Sequence, residues 1–285
     1  MYLRIARSIT ASLVLILAAT PAFSAARRNL PGCSTSTLAA NDDGSTAAVP
    51  IGFTINLFGT SYSTLFVNNN GNVTFDNQLS TFTPFDLTST GTKIIAPFFA
   101  DVDTRGAGSG LVHYGNDTVG GRNAFCVEWP AVGYFNSQTN KLNTFELVII
   151  DRSDIGVGNF DFEFNYDQIQ WETGGASGGS NGLGGSSARV GYSNGLTGSA
   201  NASLELPGSA VNGALLDSGP NALISHSLNS AVLGRYVFSS RGGQIAGTPT
   251  NPSAPAGVPA MGTPALLLTG ILLIGIVSYL RFRTV

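Results

Sequence analysis

Four aspartates stand where hard oxygen ligands could gather: Asp101 and Asp103 in "ADVDTRG", and Asp151 and Asp154 in "DRSD". Residues two apart on a strand share a face, so carboxylates clustered at strand ends could coordinate calcium, an oxygen-seeking cation. The same acids could instead cap turns, with Arg105 and Arg152 beside them as neutralising partners. No other cofactor is indicated. Nucleophilic chemistry is the second possibility, because Gly-x-Ser-x-Gly occurs three times, centred on Ser177, Ser180 and Ser193. A nucleophile elbow needs a strand before its serine and a helix after it. Ser177 and Ser180 lie in low-complexity sequence and meet neither condition. Ser193 follows a plausible strand, with Asp217 and His226 later in hydrolase order, but "NGLTGSANAS" is a poor helix start. The two histidines, His113 and His226, have no metal-ligand spacing.

These groups must be positioned by strands. Charged residues make up 11% of the 285 and glycines number 36, which suits a β-protein with many turns better than a helical one. Strand candidates run from "FTINLFG" through "STLFVNNNGNVTF", "IIAPFFADVD", "GLVHY", "NAFCVEW", "TFELVIID" and "NFDFEFNY" to "ARVGY" and "RYVFSS". In "NFDFEFNY", Phe160, Phe162, Phe164 and Tyr166 alternate with Asp161, Glu163, Asn165 and Asp167, so the aromatic face turns inward and the acids face water. The parity slips after Tyr166, since Ile169 and Trp171 are the next apolar residues, and a bulge or break near Asp167 and Gln168 follows. Asn70-Gly71 between two apolar alternations predicts a hairpin. The four apolar residues of "LVII" predict a central strand covered on both faces. Pro97 has no N–H and belongs at an edge or a bulge. The Gly/Ser/Asn run Gly174–Ala188 is expected to be a mobile surface loop. Nine or so strands fit an all-β, single β-sandwich-like domain.

Both termini look like processing elements. Arg4 and Arg7 precede an apolar run and small residues, which predicts a secretory signal peptide over 1–26. At the other end a Pro/Gly/Thr-rich tether, 242–263, leads to a hydrophobic helix over 264–285 that ends in Arg281 and Arg283. Its sixteen-residue apolar run "ALLLTGILLIGIVSYL" is just long enough to span a membrane, and the arginines would stay on the cytoplasmic side. Between the termini lie all 17 acids but only ten of the 14 bases, a net of −7, which argues against nucleic acid as a partner. The two cysteines, Cys33 and Cys126, sit in a chain expected to reach an oxidising compartment. A disulfide between them is the default, with two inert or separately paired thiols as the alternative.

The ordered motifs "FGTSYSTLFVNNNGNVTF", "IIAPFFADVD", "NTFELVIIDRSDIGVGNFDFEFNYDQIQWETG", "ARVGYSNG" and "ELPGSAVNGALLDSG" resemble the NIDO domain, the nidogen-like extracellular module. The resemblance covers roughly 39–241 and places the β domain at 27–241. The tail "VPAMGTPALLLTGILLIGIVSYLRFR" looks like an IPTL-CTERM or PEP-CTERM type bacterial sorting segment, departing from it at Ala260, Met261 and Pro264. Together these resemblances imply an exported bacterial surface protein without catalysis, acting in cell-matrix or cell-cell adhesion or in biofilm association. The implied partners are an extracellular matrix polymer, an exopolysaccharide or a surface protein, together with export and sorting machinery and a membrane through the C-terminal helix. The alternative is a secreted hydrolase or carbohydrate-active enzyme, which would need paired carboxylates about 5–10 Å apart at a cleft.

Overall fold

Phe160, Phe162, Phe164 and Tyr166 are all buried on one nine-residue strand, and the sheets form around them. The computed structural model describes residues 26–197 and 202–246. The expected signal peptide before Ala26, the tether beyond Ala246 and the C-terminal hydrophobic segment lie outside the described residues. Among those residues no helix is long and apolar enough to cross a membrane. The strands are β1 (Ser36–Thr37), β2 (Val49–Leu57), β3 (Thr60–Asn68), β4 (Asn72–Thr74), β5 (Lys93–Phe99), β6 (His113–Val119), β7 (Arg122–Tyr134), β8 (Gln138–Asp151), β9 (Phe160–Gln168), β10 (Arg189–Asn194), β11 (Ser203–Glu205), β12 (Arg235–Arg241) and β13 (Gln244–Ala246). They form a seven-stranded sheet, ordered β1-β6-β7-β8-β9-β12-β13, and a six-stranded sheet, ordered β11-β10-β5-β4-β3-β2. Every pairing between these strands is antiparallel. The all-β expectation therefore stands.

The two inner faces meet in one aromatic core. Phe162 stacks on Phe238 at 4.8 Å, and both meet Tyr192 from the opposite sheet edge-on. Trp129 stacks on Phe145 at 5.0 Å, and Phe98 packs against Phe145 and Trp171. Three buried polar tips find carbonyls, as burial demands: Trp129 Nε1 donates to Asn69 O, Trp171 Nε1 to Val132 O and Tyr166 OH to Pro97 O. The "LVII" run is central, as its composition predicts. Leu147 and Ile149 join the main core, while Val148 and Ile150 turn outward under Cys33, Ala124 and Cys126. Cys33 and Cys126 are disulfide-bonded, with Cα atoms 5.4 Å apart.

Local irregularities follow the sequence cues. Asp167 is skipped in the β8/β9 register, where Thr144 faces Gln168 and Phe145 faces Tyr166, so the parity slip is a bulge. Asn68 pairs with Asn72 across a turn closed by Gly71 at φ 73°, and a methyl group there would run into the Phe98 carbonyl. Pro97 lies inside the six-stranded sheet, opposite a register shift between Arg189 and Gly191, so it sits at a bulge. Strand pairing continues past Arg241 into β13, through Gly242 and Gly243, both at positive φ.

Two expectations are corrected. The acids opposite the aromatics do not all face water: Glu163 is 3% exposed and Asn165 fully buried, as is Glu146 on the neighbouring strand. The N-terminal segment crosses this outer face, and Arg28 donates to both oxygens of Glu163 while its backbone N–H donates to Glu146. The Gly-rich run 174–188 is not a loose loop. It folds on itself through Ser180–Leu183 and Ser186–Ser177 backbone bonds and is held to Glu172 and Thr173 through the Gly182 carbonyl.

Candidate functional site

The end of β5 runs into Asp101, which is 1% exposed. Its carbonyl accepts from Phe135 N at 3.2 Å, so the residue sits at the end of the sandwich where β7 turns into β8. Neither carboxylate oxygen has a hydrogen-bond partner. Burial, reinforced by the charges of Asp42 and Asp43, pushes its pKa up to about 7 against a smaller opposing pull from the Ser177 N–H. That N–H itself donates to the Gly174 carbonyl at 3.2 Å.

The turn "NDDG" brings Asp42 and Asp43 to the same place. Asn41 Oδ1 accepts from Gly44 N at 2.6 Å and closes this turn. Asn69 Nδ2 grips the Asp42 carbonyl at 2.6 Å, and Asn70 Nδ2 donates to Asp43 Oδ1 at 2.9 Å. Asn70 Oδ1 in turn accepts from Val102 N at 2.9 Å, tying the turn beyond β3 to the chain beyond Asp101. One oxygen of Asp42 meets Arg105 at 2.9 Å, and the other is buried without a partner. Burial, with Asp103 and Asp43 adding repulsion, raises the Asp42 pKa to about 6 despite Arg105. Carboxylate oxygens of Asp42, Asp43 and Asp101 all lie within 4.8 Å of one another, the one such group of His, Cys, Asp or Glu found among the described residues. Asp42 and Asp43 belong to no motif; their only sequence signal is a pair of acids inside a turn-forming Asn…Gly stretch.

The other three expected ligands have different partners. Both oxygens of Asp103 are taken, by Arg105 at 2.7 and 2.8 Å and by the backbone N–H groups of Arg105 and Ser137. Burial alone would raise this carboxyl, but these bonds outweigh it and hold it below its ordinary value. Asp151 caps the turn after β8, accepting from Ser153 N and Oγ. Asp154 pairs with Arg122 and Arg152, and Arg122 in the first place holds it down at about 2. Asp151 and Asp154 lie at the far end of the 14-residue β8, roughly 40 Å of strand from its start near Asp101. The four aspartates are therefore not one cluster: Asp101 lies beside Asp42 and Asp43, and its companions go to arginines and turns, the partners that Arg105 and Arg152 had suggested.

The serine candidates are placed structurally. Ser193 is fully buried in β10, and its Oγ accepts from Gly195 N at 3.2 Å. Asp217 accepts from Ile169 N, and His226 Nδ1 contacts the Ala222 carbonyl, so neither is engaged with Ser193. Ser177 Oγ contacts Thr83 and Phe82, and Ser180 lies in the bridge to Leu183. His113 Nδ1 meets Thr37 Oγ1 across the β1/β6 pair.

The family model described as "Nidogen-like domain" matches residues 63–242. Alpha-tectorin of Mus musculus is 36% identical over 231 residues, covering 72% of this chain and 10% of that protein; alpha-tectorin of Homo sapiens aligns with the same identity and coverage. Nidogen of Drosophila melanogaster is 28% identical over 132 residues, covering 38% of this chain and 10% of that protein. The chain thus spans about a tenth of the length of these relatives. No solved structure matches. With the family model covering more than half of the chain, through strands β3 to β12, this chain belongs to the nidogen-like (NIDO) domain family.

Proposed function

We propose that this chain is an exported, non-enzymatic surface protein whose nidogen-like domain associates with extracellular matrix, through a matrix polymer, an exopolysaccharide or another surface protein. The family match over residues 63–242 carries this reading. The Cys33–Cys126 disulfide supports it, because such bonds persist in oxidising compartments. Residues 1–26 direct export, the expected tether, shortened to 247–263 because 244–246 pair with β12, sets reach, and 264–285 hold the protein in a membrane until a bacterial-type sorting protease acts. Contacts by each domain are individually weak, and dense display supplies avidity. The separate engagement of Ser193, Asp217 and His226 speaks for binding over acyl transfer.

The test compares cells lacking the chain with cells restored by it, scoring retention of the protein in the extracellular matrix and attachment of the cells to that matrix. Restoration should recover both. A matrix fraction free of the protein, with unchanged attachment, would contradict the reading.

A further inference from the structure

We propose that Asp42, Asp43 and Asp101 form a calcium site at the β5 end of the sandwich. Two oxygens bound to one calcium ion at about 2.4 Å can be no more than about 4.8 Å apart. The three aspartates present oxygens that satisfy this limit together. Their separation in sequence is bridged by backbone already fixed for other reasons: the "NDDG" turn is pinned by Asn41 and Asn69, and Asn70 joins it to Val102.

The independent observation is Asp101 itself. A carboxylate that is 1% exposed with neither oxygen hydrogen-bonded breaks the rule that buried charges are paired. A cation between Asp101 and the two aspartates facing it satisfies all three. Arg105 cannot serve, since it is committed to Asp103 and to one oxygen of Asp42. Room beside Asp101 is kept by Gly174, where any side chain would run into the Asp101 carboxylate.

The donor set selects the metal. All three donors are carboxylate oxygens, without nitrogen or sulfur, which excludes a zinc-like preference. They come from an irregular turn and a strand end, suiting the flexible geometry of calcium better than the strict octahedron of magnesium. The ion would join the "NDDG" turn to the end of β5. This goes beyond the matrix-association reading and stands independently of it.

The experiment uses the full chain in detergent micelles, stripped with chelator, and follows thermal unfolding as calcium is added. At about 10 mM calcium, on the order of ten to a hundred times the dissociation constant of extracellular calcium modules, the melting temperature should rise by roughly 3–10 °C. Magnesium at equal concentration should produce less than half that shift. In Asp101→Asn the calcium-dependent rise should vanish, while its melting temperature in chelator equals or exceeds that of the unsubstituted chain, because a buried unpaired acid has been removed. Asp43→Asn, at a half-buried position, should fold and require more calcium for the same shift. Asp154→Asn, at the other end of β8, should respond like the unsubstituted chain. The proposal is overturned if calcium leaves the unsubstituted chain's melting unchanged, if the rise persists undiminished in both Asp101→Asn and Asp43→Asn, or if Asp101→Asn melts well below the unsubstituted chain in chelator.

Discussion

Arg28 Nε and Nη2 donate to the two oxygens of Glu163 at 2.6 and 2.7 Å, across a sequence separation of 135. This forked pair fastens the start of the described chain over the outer face of β9, with the Glu163 side chain only 5% exposed. Truncating Arg28→Ala leaves Glu163 with the more distant Arg235 at 3.8 Å. The expected loss is about 2 kcal/mol, less than for a fully buried pair because Arg235 remains. Urea unfolding of Arg28→Ala measures it, and an unchanged midpoint would show that the segment contributes nothing.

Glu146 makes the same face pH-sensitive. Burial raises its pKa to about 7, with Asn165 and the Arg28 N–H opposing and Glu128 adding to the shift. A carboxyl whose folded pKa lies above its unfolded value of 4.5 binds its proton more tightly in the folded state. Stability from this group is therefore intact below about pH 4.5, falls as pH rises toward 7 and is level above that. The loss is on the order of 3 kcal/mol. Glu146→Gln keeps an acceptor for Asn165 and Arg28 but cannot ionise. Its stability relative to the unsubstituted chain should climb between about pH 5 and 7, and parallel curves would refute the assignment.

The disulfide closes a span of 93 residues, for which the chain-entropy model gives roughly 4–5 kcal/mol. Replacing Cys33 and Cys126 together by serine should cost about 2–5 kcal/mol in chemical denaturation. Reductant should lower the melting temperature of the unsubstituted chain and leave that of the double variant unmoved.

Two glycines separate steric from conformational cost. Gly174 has φ −83° and ψ 167°, open to any residue, yet a Cβ there meets the Asp101 carboxylate. Gly213 has φ +76° with nothing near its Cβ position. Gly213→Ala should cost about 1 kcal/mol from backbone strain alone. Gly174→Ala should cost about 1–3 kcal/mol from overpacking, and should also blunt the calcium-dependent rise in melting temperature, which Gly213→Ala should leave intact.

Much of the sandwich was legible because its signals are local. Alternation in Phe160–Tyr166 set the inward face, the shift to Ile169 and Trp171 marked the Asp167 bulge, and the unbroken Leu147–Ile150 run marked a strand covered twice. What alternation cannot report is what lies on the other face. Glu146 and Glu163 look like a wet surface until Arg27 and Arg28 cross from more than a hundred residues away. The acid cluster was half visible for the same reason. Asp101 stood out at a strand end, but its companions depend on which turn the six-stranded sheet brings beside it. That is a property of strand order, and the nearer Asp103 was taken by Arg105, two residues along.

The central claim is that this domain works outside the cytoplasm as a closed, oxidised β-sandwich held in the matrix or envelope. It is tested most directly by fractionating cells that make the chain and running each fraction on non-reducing and reducing gels. The account predicts that the chain lies in envelope, matrix and medium fractions with Cys33 and Cys126 joined, and that deleting 265–285 moves it into the medium. A full-length chain with both thiols free in the cytosol would contradict it.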